Sequence, residues 1–151
     1  MRFRTIRDII DFSRELHGAL SRQYAELEQL TTSERAQLML DYLGRHERHL
    51  AEVLKDYEAG AARGLLETWL QHAPDLDARE LLEKVSGVDI NDVDAVVAAA
   101  LAVDEYLRRI YDAVAASADL EELRQVARSL QQLESNEQHQ IARAALRLGD
   151  L

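Results

Sequence analysis

The sequence predicts an all-α fold: four long helices forming two antiparallel hairpins joined by a long crossover. Three observations carry that expectation. Proline occurs once, at Pro74, and glycine six times, while Leu, Ala, Glu, Arg and Gln dominate the 151 residues, a composition of helix formers. Apolar residues recur at spacings of three and four along four long stretches, the period of a half-buried helix. Two of the three connections between those stretches are a few residues long and the middle one is about thirty; short connections make antiparallel neighbours.

The first helix is expected over about 5–30, with Ile6, Ile9, Leu16, Leu20, Tyr24 and Leu27 on one stripe. Thr31-x-x-Glu34 reads as a capping box that opens the second helix, about 33–58, whose inward face is Ala36, Met39, Leu43, Leu50, Val53 and Tyr57. Gly60, Gly64, Pro74 and Gly87 punctuate the crossover, about 59–90. Its amphipathic pieces ARGLLETWLQ and DARELLEKV predict a structured segment, anchored by Trp69, with His72 on the surface. The third helix, about 91–116, carries Leu107, Ile110, Tyr111 and Val114. Asp119-x-x-Glu122 reads as a second capping box, opening a fourth helix, about 120–148, with Leu123, Val126, Leu130, Leu133, Ile141 and Leu148. Residues 1–151 are read as one domain with the connectivity of a ferritin-like four-helix bundle.

Eighteen basic residues against 28 acidic ones leave a net charge of -10, which argues against a phosphate backbone or an anionic membrane as partner. The absence of cysteine excludes disulfides, thiolate metal sites and thiol nucleophiles, and leaves the redox compartment unread. The basic start MRFRTIRDII is broken by Asp8 and then Asp11, and no apolar run of about 18 residues occurs. A cytoplasmic protein, with no nucleic-acid or membrane partner and assembled as a homodimer, is therefore expected.

Residues equidistant from the turn of an antiparallel hairpin lie at one height, because each residue advances about 1.5 Å along its helix. His17 and His46 stand about fifteen residues either side of the first turn. Asp104 and Asn136 stand about fifteen and seventeen either side of the second. All four fall between apolar residues of the stripes, and His49 and His139 follow at i+3 on the expected inward side. Six polar side chains are thus predicted to converge on one layer of an apolar core.

That layout resembles the ferritin-like di-iron proteins, the rubrerythrin branch especially. In that family a Glu stands in the first helix, Glu-x-x-His in the second, a Glu in the third and Glu-x-x-His in the fourth. The matching places here are His17, His46-x-x-His49, Asp104 and Asn136-x-x-His139. A tyrosine seven residues after the first- and third-helix ligands has its counterpart in Tyr24 and Tyr111. Both histidines are kept and the four glutamates replaced; Glu137 is expected partly off the seam and Glu134 well away from it. Hemerythrin is a poorer likeness, since Leu50 and Val53 stand four residues after His46 and His49.

The resemblance implies a metal site at mid-bundle, but a nitrogen-rich one that is no standard ferroxidase. Its ligands would be His17, His46, His49, Asp104 and His139, with Tyr24, Tyr111 and Asn136 behind them. One transition-metal ion, Fe or Zn, is the expected cofactor. The alternative is a metal-free bundle whose histidines form a hydrogen-bonded polar layer, acting as a protein-binding or assembly module. Whether the protein is an enzyme, and what would deliver electrons to it, stay open at this stage.

Overall fold

The structure is a computed structural model and describes residues 4–72 and 74–149. Its order is β1 (Arg4–Thr5), α1 (Ile6–Leu30), α2 (Glu34–Gly60), α3 (Arg63–Leu66), β2 (Trp69–Leu70), α4 (Arg79–Ser86), α5 (Val93–Ser117) and α6 (Glu121–Gly149). The fold is all-α; β1 and β2 are a two-residue antiparallel clasp, Arg4 opposite Leu70 and Thr5 opposite Trp69.

The clasp leads directly into α1. Thr5 caps that helix, its hydroxyl accepting the Asp8 N–H at 3.2 Å while the Asp8 carboxylate accepts the Thr5 N–H at 2.9 Å. This reciprocal pair satisfies two otherwise orphaned donors and sets a negative charge at the positive end of the helix. At the first turn the expected capping box is not formed. Ser33 is the cap, accepting from Ala36 N–H, and Thr31 instead donates its hydroxyl to the Ile90 carbonyl at 2.9 Å or to Asn91 Oδ1 at 2.7 Å. Thr31 therefore ties the turn to the end of the crossover. At the second turn α6 starts one residue late for an Asp119 cap, and the Leu120 carbonyl accepts the first helical N–H, from Arg124.

Helices α1 and α2 pack along their lengths, as do α5 and α6, and α2 also touches both α5 and α6. A three-residue connection between two long helices packed side by side forces them antiparallel. At Gly44 the two run close, and the buried Ser21 hydroxyl donates to the Gly44 carbonyl at 2.9 Å. Leu43 and Leu50 on α2, and Leu130 and Ile141 on α6, are at most 2% exposed. Each contributes roughly 1.5–3 kcal/mol by its burial, so this core can carry a polar layer that costs several kcal/mol.

The crossover is structured, but Trp69 does not anchor it: that side chain is 64% exposed. Successive strand residues face opposite ways, and it is Leu70 that turns inward, with Leu66 and Val85 also buried. The Tyr106 hydroxyl on α5 accepts the Asp77 N–H at 3.2 Å, and Gln23 on α1 donates to the Leu82 carbonyl at 3.1 Å. No helix among the described residues is long and apolar enough to cross a membrane.

Candidate functional site

Five polar side chains break the apolar stripes at mid-height. They are His17 on α1, Glu47 on α2, Asp104 on α5, and Glu134 and Glu137 on α6, and none is more than 2% exposed. Each sits where helical spacing demands an inward residue. Glu47 follows Leu43 by four and precedes Leu50 by three; Glu134 follows Leu130 by four, and Glu137 precedes Ile141 by four.

His17 is the hub. Its Nε2 lies 2.8 Å from Glu134 Oε1, and its Nδ1 makes a short contact with Glu47 Oε2. With a carboxylate oxygen at each ring nitrogen, the protonated ring can donate to both. Burial is the largest single influence and acts to strip its proton. The charges of Glu134 and then Glu47, with their hydrogen bonds, outweigh it and raise the His17 pKa well above the ordinary value.

The carboxylates are less well served. Glu47 Oε1, both oxygens of Asp104, Glu134 Oε2 and Glu137 Oε1 are buried without a hydrogen-bond partner. Burial first, then the charges of Glu47 and Glu134, pushes Asp104 well above the usual carboxylate range, against a partial pull from His17. Glu47 is raised for the same leading reason, with His17 opposing. Tyr24 is a buried phenol whose hydroxyl also lacks a partner. Burial and the charges of Glu47, Asp104 and Glu137 hold it protonated. Tyr111 donates to Ser13, which in turn donates to the Ile9 carbonyl.

His46 stands at the rim. Its side chain is 15% exposed, and its Nδ1 lies 2.8 Å from Glu137 Oε2 without the alignment of a directed hydrogen bond. Its ring meets Tyr42 edge-on, centroids 5.0 Å apart.

The structure thus brings His17, Asp104, Tyr24 and Tyr111 into the layer and His46 to its edge. It corrects the other three placements: His49, Asn136 and His139 are exposed, and the Asn136 side chain accepts a surface hydrogen bond from Gln132. Glu134 and Glu137, expected to face away, point inward instead. The error is one of helical phase. Leu133 is only partly buried, and taking it as core rotates α6 by one residue, about 100°; on α2, preferring His46 to Glu47 makes the same slip. The signal for the correct phase was present in the Leu43, Leu50, Leu130 and Ile141 spacing.

The chain matches no family model, no curated protein and no solved structure. Among the described residues, no three His, Asp or Glu side chains already stand in an arrangement that holds an ion. His17 occupies only one oxygen of Glu47 and one of Glu134. What the layer lacks is positive charge: four carboxyl groups share it with one fully buried histidine, and either protons or cations must make up the difference.

Proposed function

We propose that this protein is a divergent ferritin-like four-helix bundle that binds metal ions at mid-height through Glu47, Asp104, Glu134 and Glu137, with His17 completing the set once an ion displaces a proton from its ring. One observation carries the reading: five carboxylate oxygens, on four residues from three helices whose charges act on one another, are buried without partners. An unsatisfied buried polar atom costs about 1–3 kcal/mol, more when charged, and a cation answers several at once. Four carboxylates match the charge of two divalent ions, and an oxygen-rich set suits Mn2+ or Fe2+ better than the zinc expected of a nitrogen-rich one.

With the helical phase corrected, the layout is similar to the di-metal carboxylate pattern in which two helices give one ligand and two give a ligand pair at i, i+3. Asp104 takes one single place and His17 the other. Glu134-x-x-Glu137 supplies one pair, whereas Glu47-x-x-Leu50 supplies half of the second. Bound ions would bring Lewis acidity or redox chemistry to a layer beside the buried Tyr24 phenol.

A second reading is favoured by the engagement of both His17 nitrogens, which leaves that ring no lone pair for a metal. In it, protons on Asp104 and Glu47 hold a metal-free layer, and the bundle serves as a protein-binding or assembly module.

Elemental analysis of tag-free protein and thermal melts with chelator, Mn2+ or anaerobic Fe2+ separate the two. An ion at a hundredfold excess over its Kd stabilises the native state by about 2.7 kcal/mol. At roughly 2–4 °C per kcal/mol for a chain of this size, Tm rises by about 5–10 °C. The shift disappears in Glu47→Gln/Glu134→Gln, which keeps its helical circular dichroism. Metal-free wild-type protein with an unmoved Tm would leave only the second reading.

A further inference from the structure

Ions held in the layer must reach it, yet its five members are at most 2% exposed. Tyr42, Arg45, His46 and His49 recur along α2 at steps of three, one and three, and so share a flank; they line a solvent-open cleft of about 210 Å³. His46 joins this cleft to the interior, through its 2.8 Å approach to Glu137 Oε2. The other oxygen of Glu137 has no partner. Arg45 would repel a cation at the mouth, but its guanidinium is tied back to Asp41 at 2.9 Å.

We propose that this cleft is the inlet of the metal site and that His46 is its transfer ligand, taking a divalent cation from water and passing it to Glu137. The inference rests on the metal reading above. An imidazole suits the task because it binds divalent ions while neutral and turns about two single bonds, whereas Glu137 is enclosed by packing. The roomier groove between α1 and α2, about 420 Å³, is a poorer inlet: Arg14, Arg22, Arg48 and Lys55 line it against Asp11, Glu15 and Glu52, and it has no counterpart of His46 reaching a carboxylate of the layer.

Stopped-flow mixing of chelator-treated protein with Co2+, followed by its visible ligand-field absorption, tests the proposal. His46→Ala loads about tenfold more slowly, reaches the wild-type stoichiometry by equilibrium dialysis, and regains speed when free imidazole is added. His46→Gln, which retains a polar side chain beside Glu137, is likewise slow and guards against a folding defect in the alanine variant. Loading by His46→Ala at the wild-type rate, or faster, overturns the inlet while leaving the metal site standing. Wild-type protein that takes up no Co2+ overturns both.

Discussion

Near the start of α1, Asp11 and Glu58 form a carboxyl pair beside two arginines. The Arg14 guanidinium lies 3.0 Å from Glu58 and 3.6 Å from Asp11, and Arg7 lies 3.6 Å from Glu58. At mid-height, Glu47 and Glu134 meet His17, Glu137 meets His46 at the rim, and Asp104 lies buried with neither oxygen paired. The outer cluster has forked, permanently charged donors and access to water. The inner one has titratable rings, almost no exposure and five orphaned oxygens. The arginines answer most of the charge of the first pair, whereas the carboxyl groups of the second are left with a charge that protons or metal must meet.

Removing the cation from each cluster sharpens that contrast. In chelator-treated protein, His17→Leu strands Glu47 and Glu134 with their charges buried and should cost about 3–5 kcal/mol by urea denaturation. Arg14→Leu, at the exposed cluster, should cost no more than about 1 kcal/mol. Equal losses would erase the distinction between the two sites.

The outer pair also has a pH signature. Burial, then the hydrogen bond and charge of Glu58, raises Asp11 from 3.8 to about 6, against Arg14 and Arg7. A carboxyl with a raised folded pKa stabilises while the native state holds its extra proton. That contribution is complete below about pH 4 and is lost as pH rises through about 6. Asp11→Asn should remove this slope from the pH dependence of stability. Solvent screening at a side chain 42% exposed keeps the effect below about 1 kcal/mol. The smallest effect belongs to His139→Ala: an exposed residue outside both clusters should change stability by less than about 0.5 kcal/mol by urea denaturation.

The helical class was legible because periodicity and the scarcity of glycine and proline are local properties of the chain. The level of the polar layer was legible too, since hairpin geometry converts sequence distance from a turn into height, and His17 and Asp104 sit where that arithmetic puts them. Glu47, Glu134 and Glu137 were not read as core. A glutamate in an amphipathic helix is ordinarily a solvated residue, and a histidine next to it attracts a ligand assignment; one residue of phase then exchanges the buried side chain for the exposed one. Trp69 failed for a related reason, as its bulk suggests an anchor while strand alternation assigns that place to Leu70.

By itself the sequence determined which stretches are helical, how short the two turns are, and at what height the polar residues fall, because each follows from neighbours within a few positions. Only the packing of α1, α2, α5 and α6 against one another decided which side chains are sealed from water. Rotation of a helix about its own axis is set by contacts with its partners, and it is this rotation that sealed four carboxyl groups and His17 into one layer.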